Sequence, residues 1–223
     1  MRLPIFGGVL RGRWWLPASR GKILRILNGT YEREQTRLFQ EHVRPGATVL
    51  DVGAHVGYYT VLSAVLAGPS GRVHAFEPNP TNAEFLRRHV RVNRLANVTV
   101  EQAAVSDRAG TARFDFGTGS GTGRLADAGA LEVRTIRLDD YCAEHGLAPA
   151  AVKIDVEGAE TNVLAGARET LARHHPTIFL STHGAGVHAA SLAFLRGLGY
   201  RLRPILGGDL ETTTEVLATH GGA

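Results

Sequence analysis

A chain of 223 residues with 43% apolar and 21% charged positions has the length and composition of one globular domain with a substantial core. No run of about 18 apolar residues occurs, which excludes a spanning helix, and the single Cys142 excludes an internal disulfide and suits a reducing cytoplasm. The formal net charge is +4, yet the arginines are scattered, dense only in the first 25 residues and along Arg87–Arg94, so no nucleic-acid partner is expected.

Residues 1–28 carry arginines, glycines, Trp14 and Trp15 without a continuous apolar run, which reads as a disordered basic leader and not as a signal peptide. A single domain over residues 29–223 is expected to follow, opening with a helical cap at 29–44. Asn28-Gly29 marks a turn, Thr30 is the predicted N-cap, and Glu32 and Glu34 sit in the first turn, where negative charge suits the helix dipole. Next come strand Thr48–Val52, helix Gly57–Leu66, strand Arg72–Phe76, helix Pro80–Asn93 and strand Val98–Gln102. Strands Thr111–Phe116 and Val133–Arg137 flank a glycine-rich stretch, Gly117–Gly123. Helix Leu138–His145, with Cys142 packed inside it, strand Val152–Asp155, helix Gly158–Ala172 and strand Thr177–Leu180 continue the pattern. Helix His188–Leu198, strand Tyr200–Ile205 and a last antiparallel strand, Glu215–Thr219, complete it. This alternation predicts an α/β fold: a Rossmann-like, doubly wound, mostly parallel sheet, with ligands bound beyond the carboxyl ends of its strands.

The informative segment is Val49-Leu50-Asp51-Val52-Gly53-Ala54-His55-Val56-Gly57-Tyr58-Tyr59-Thr60. Gly53 and Gly57 bracket a strand-to-helix turn that brings backbone N–H groups near a ligand. Glu77 stands 24 residues after Gly53, where a carboxylate can accept bonds from a ribose diol, with Pro78 and Asn79 beside it. Together these describe a nucleoside pocket. A dinucleotide fingerprint, Gly-x-Gly-x-x-Gly, would place glycines where this chain has His55 and Tyr58, and both side chains crowd a pyrophosphate. S-adenosyl-L-methionine carries no phosphate. Its amino-acid tail needs a few backbone contacts and a carboxylate partner such as Asp51, so the spacing favours it over NAD.

Three runs, Asp51–Thr60, Phe76-Glu77-Pro78-Asn79-Pro80 and Lys153-Ile154-Asp155-Val156-Glu157-Gly158-Ala159-Glu160, resemble the FkbM-type methyltransferases from about Gly29 to Tyr200. The resemblance implies a class I methyltransferase fold and an S-adenosylmethionine-dependent enzyme, in several members an O-methyltransferase of polyketide and sugar hydroxyls. Many members carry a glutamate and a histidine after the next strand. Here Leu180-Ser181-Thr182-His183-Gly184 keeps the histidine and replaces the acid.

The expected cofactor-binding residues are Tyr31, Asp51, Gly53, Ala54, Gly57, Tyr59, Thr60, Glu77, Pro78, Asn79, Ala104, Val105 and Asp155. Ser106 or Asp107 is placed to bond the adenine amine, and the Thr30–Glu34 helix start and Gly117–Gly123 to cover the site. Asp155 ends a strand as a lone carboxylate, pairing with Lys153 being discounted because adjacent strand residues face opposite sides; its partner would be the donor ammonium, the acceptor hydroxyl or a metal. Glu157 and Glu160 stand at a helix start, with dipole stabilisation as their plainer role. His183 is the expected general base, an imidazole of near-neutral pKa in a glycine-flanked loop, with Asp155 assisting. No spaced zinc-type cluster is present and no metal is expected, although Asp155 with His183 or Glu157 could ligate Mg²⁺ or Mn²⁺. The function expected is O-methylation of a small molecule, sugar or natural product by a cytoplasmic enzyme, a homodimer being one possible state. The alternatives are an NAD-dependent oxidoreductase and a non-catalytic nucleoside-binding module.

Overall fold

The computed structural model describes residues 1–17, 22–115, 124–125 and 131–221. The stretch Gly117–Gly123, expected to cover the site, lies outside the described residues. The chain opens with strands β1 (Leu3–Pro4) and β2 (Trp14–Trp15), paired antiparallel, then helices α1 (Ile23–Leu27) and α2 (Arg33–His42). The first half of the core is β3 (Thr48–Val52), α3 (Tyr58–Ala67), β4 (Arg72–Phe76), α4 (Pro80–Val92) and β5 (Val98–Glu101). Strands β6 (Ala104–Val105), β7 (Gly110–Asp115), β8 (Arg124–Leu125) and β9 (Leu131–Ile136) follow. The second half holds α5 (Leu138–His145), β10 (Ala151–Ile154), α6 (Glu160–Gly166), α7 (Arg168–His174), β11 (Thr177–Ser181), α8 (Ala185–Gly197), β12 (Tyr200–Pro204) and β13 (Glu215–His220).

The main sheet has the order β12-β13-β11-β10-β3-β4-β5, and its last strand in sequence, β13, runs antiparallel to both neighbours, as expected. β3 and β10 lie side by side at its centre, with Val52 opposite Ile154, and the chain winds away from this pair in both directions. Both strands are buried on their two faces, so each supplies apolar side chains to two separate cores. Leu50, Val152 and Ile154 pack with Leu164, Leu171 and Leu192 of the second-half helices. Val49 and Ala151, one residue out of phase, pack with Phe39, Leu62 and the amino-terminal segment. A sheet covered on both faces places its ligand at the edge where strand order reverses, and that point is the β3–β10 pair. No helix among the described residues is long and apolar enough to cross a membrane.

Four expectations are corrected. The first 17 residues are no disordered leader: Trp15 is fully buried, its ring 3.8 Å from that of His89, and Ile5, Leu10 and Leu16 are buried beside it. The reason is apolar surface, since burying one such large side chain is worth roughly 1.5–3 kcal/mol. Thr30 is not an N-cap; its hydroxyl bonds Arg25 O, and α2 starts after Glu32, whose backbone is left-handed at φ 43°. β7 and β9 do not join the main sheet. They pair antiparallel with each other in a second sheet, β6-β9-β7-β8, in which β6 is a strand the sequence reading left out. The long helix from Gly158 to Ala172 is two helices broken at Ala167, where Gly166 is pressed so close to the Ser106 carbonyl that a Cβ would come within 2.1 Å of its oxygen.

Candidate active site

At the end of β3 the chain turns sharply at Gly53, φ 79°, where a Cβ would stand 1.8 Å from the Asp155 carbonyl oxygen. Only glycine lets the two central strand ends meet so closely. The turn, the ends of β4, β6 and β10, and the amino-terminal segment enclose a cavity of about 180 Å³. Three of the five non-glycine residues with positive φ among those described, Glu32, His55 and Glu157, line this cavity. Backbone strain of this kind, about 1–3 kcal/mol per residue, gathers at functional sites.

Gly53, Ala54 and Tyr59 line the cavity from the turn and α3, and Tyr31 from the segment above. Glu77, Pro78 and Asn79 line it from β4, Ala104 and Val105 from β6, and Asp155 from β10. Asp51, Gly57 and Thr60 stand behind the wall, which corrects Asp51 as a direct partner of a ligand. Its carboxylate is 1% exposed and accepts the Thr60 hydroxyl at 2.6 Å, so it braces the turn from below. Burial raises the Asp51 carboxyl, an effect that the nearby Lys153 ammonium opposes. Ser106 and Asp107 bond each other and do not line the cavity. The hydroxyls of Tyr58 and Tyr59 are also taken, by Thr36 and Glu32 respectively, and so bind the cap helix to the core.

Glu77 is buried, with one oxygen accepting His55 N at 2.7 Å and the other accepting Asn79 N at 2.9 Å and Asn82 Nδ2 at 3.4 Å. Burial lifts its carboxyl to about 7, against the pull of those N–H groups. A carboxylate offers about four acceptor positions and three are taken, so one remains for a ligand's hydroxyl.

Asp155 is not a lone carboxylate. Lys153 Nζ lies 3.2 Å from its Oδ2, because residues two apart on a strand share a face. Burial would lower the Lys153 ammonium, but Asp155 and Asp51 hold it above its ordinary value; burial would raise Asp155, but Lys153 and His183 hold it low. His183 does not line the cavity but stands beside two residues that do, Asp155 and Glu157. Its Nδ1 donates to Glu160 Oε1 at 2.9 Å, and its Nε2 faces Glu157 Oε2 at 3.6 Å and Asp155 Oδ1 at 3.8 Å. The acid missing after β11 is thus supplied by the β10–α6 turn. Glu160 is wholly buried, so dipole stabilisation does not describe it; it holds the imidazole. The Glu160 hydrogen bond above all, against burial and with Glu157 and Asp155 adding to it, raises His183 to about 9. The expected neutral imidazole is therefore not the resting state at neutral pH.

Sequence reasoning missed Trp15, Lys22, Ile26, Asn82 and Lys153 as cavity residues, whereas Tyr31 and Glu32 belong to the helix start expected to cover the site. Asn82 follows the N-cap Asn79 by three residues and was within reach of a capping argument; Trp15 and Lys22 reach the site only through tertiary packing. Cys142 is buried, its thiol pushed up to about 11 by burial, and serves packing as expected.

The sequence pattern of the family described as Methyltransferase FkbM domain matches residues 51–202. The 31-O-demethyl-FK506 methyltransferase FkbM of Streptomyces tacrolimicus is 33% identical over 194 residues, 71% of this chain and 74% of that protein. The 2-O-methyltransferase NoeI of Sinorhizobium fredii is 30% identical over 151 residues, 58% of this chain and 61% of its own length. The crystal structure of methyltransferase FkbM from Methylobacillus flagellatus superposes on 89% of this chain with a TM-score of 0.55 at 18% identity, and this chain spans about half of it, 52%. That likeness shows the class I methyltransferase fold. By its matched sequence and its relatives, the chain belongs to the FkbM family of methyltransferases.

Proposed function

We propose that the chain transfers the methyl group of S-adenosylmethionine to a hydroxyl of a sugar or other small natural product, in the cytoplasm. One observation carries the reading: a buried carboxylate, Glu77, faces the same cavity as the cluster of Asp155, Glu157 and His183 at its mouth. The first is suited to a ribose hydroxyl and the second to a hydroxyl that must lose a proton. The relatives' names, a 31-O-demethyl-FK506 methyltransferase and a 2-O-methyltransferase, favour oxygen as the acceptor atom.

When bound, the donor supplies an electrophilic methyl on a sulfonium sulfur. Glu77 would hold the ribose. The first N–H groups of α3, which lack intrahelical partners, would meet the donor's carboxylate. Ala104 and Val105 would offer the adenine an apolar contact, and Trp15, Ile26 and Tyr31, which line the same cavity, would exclude water. Catalysis rests chiefly on holding acceptor oxygen and methyl in near-attack geometry, which can supply about 7–11 kcal/mol. Against an NAD site, His55 occupies the middle position of the turn and its N–H is committed to Glu77. Calorimetry with S-adenosylhomocysteine and with NADH, followed by transfer of labelled methyl to a panel of sugars and macrolides, tests the proposal. Binding of the former alone and labelled ether products are expected; NADH binding, or no turnover on any hydroxyl acceptor, would overturn it.

A further inference from the structure

We infer that Asp155, Glu157 and His183 form a divalent-cation site at the mouth of the cavity, suited to Mn²⁺ or Mg²⁺. One ligand atom from each lies within 4.8 Å of the other two. A cation centred among them would make bonds within the range of about 2.0–2.6 Å that these hard ions use. His183 Nε2 makes only loose ion-pair contacts with the two carboxylates. At 3.6 and 3.8 Å, His183 Nε2 is too far from either carboxylate for a hydrogen bond, whereas a charged pair would close to about 2.7–2.9 Å. The imidazole instead stands off both acids by similar amounts, leaving a gap of ionic size.

A second, independent feature lies behind the ring. Glu160, wholly buried, accepts from His183 Nδ1, while its other oxygen has no hydrogen-bond partner among the described residues. A buried carboxylate on the far nitrogen is how a ligating histidine is commonly held, so that the near nitrogen offers a lone pair once the cation has displaced its proton. Asp155 is braced in the same manner, Lys153 holding Oδ2 and leaving Oδ1 to the cluster. All three ligating side chains are about one-third exposed, 35%, 36% and 32%, so further positions on the ion remain open to water or to a hydroxyl. Two carboxylates and one imidazole suit an ion that accepts both oxygen and nitrogen.

The role assigned to the ion rests on the methyl-transfer reading. An acceptor hydroxyl bound there has its pKa lowered. Its O–H bond breaks with the proton passing to solvent at the open rim. The oxygen then bonds the donor's methyl carbon as the carbon–sulfur bond breaks, its electron pair staying on sulfur.

The test is Mn²⁺ binding by electron paramagnetic resonance on EDTA-stripped, buffer-exchanged protein without donor, with S-adenosylhomocysteine calorimetry on the same samples. One Mn²⁺ per chain is expected. Glu157→Gln, at a half-buried rim position, and His183→Ala should each weaken it at least tenfold, and Glu160→Gln by roughly 10–100-fold through loss of ring orientation. His175→Ala, which removes half of the stacked His175–His220 pair elsewhere, should leave Mn²⁺ uptake unchanged. No stoichiometric uptake, or uptake that survives both Glu157→Gln and His183→Ala, overturns the site. If S-adenosylhomocysteine still binds in that case, the methyl-transfer reading stands without the ion.

Discussion

Glu77 carries two testable consequences. Burial above all lifts its carboxyl from the ordinary value of 4.5 to about 7 in the folded chain. A carboxyl raised by folding binds its proton more tightly in the native state, so this group favours folding at low pH and that advantage is lost as pH rises from about 4.5 to 7. The amount is roughly 3–3.5 kcal/mol. Glu77→Gln should therefore gain stability relative to wild type across that window, and parallel urea-denaturation profiles at pH 4.5 and 7 would refute the assignment. The same substitution should weaken S-adenosylhomocysteine by about 1.5–3 kcal/mol in calorimetry, since a charge-assisted bond to the ribose is lost. Gly53→Ala is a harsher change. With φ at 79° and the Asp155 carbonyl 1.8 Å from the new Cβ, it should cost more than about 2 kcal/mol and separate the two central strand ends, measurable as a fall in Tm with loss of ligand binding.

Among the elements, the β2 segment is held on α4 in part through one histidine. His89 Nδ1 donates to Val56 O in the turn, which fixes Nε2 as the acceptor of Leu16 N. Burial depresses this imidazole to about 4. A depressed histidine stabilises the fold above its unfolded value of about 6.5, and that stability is lost as pH falls from there toward 4. Trp15→Ala should cost about 3–5 kcal/mol and, by wetting His89, flatten that acid limb; denaturation at pH 7 and pH 5 gives both readings. Elements set by local pattern were legible in the sequence. Arg72–Phe76 and Leu138–His145 were read at their observed limits, and the positions of Gly53 and Glu77 identified the pocket. What failed depended on distant partners. Trp15 looked like leader because His89 and Asn93, which hold it, are more than 70 residues away. Lys153 was misjudged by a counting error about strand faces. Asp51 was placed in the cavity because spacing along a strand end does not reveal which side chains the next layer covers.

On the scale of the whole molecule, the net charge of +4 is dispersed. Exposed pairs such as Arg37–Glu34 and Arg196–Glu211 contribute little to stability, about 0–1 kcal/mol each. Stability comes instead from two apolar layers on either side of one sheet, and the site from the seam where winding reverses. The amino-terminal segment is covalently first but structurally dependent on everything up to α4. Trp14 exchanges two hydrogen bonds with Asn93, and Leu16 bonds His89. During synthesis, residues 14–16 therefore lack the His89 and Asn93 side chains that hold them until α4 has followed them out. Long-range closure of this kind is slow relative to local helix formation. On refolding from urea, far-ultraviolet ellipticity should recover before Trp15 fluorescence, with S-adenosylhomocysteine capacity returning in step with the tryptophan signal. Capacity returning with the ellipticity instead would mean that the pocket forms without its amino-terminal roof. Residues made before α4 thus complete a wall of the cavity only after α4 has formed.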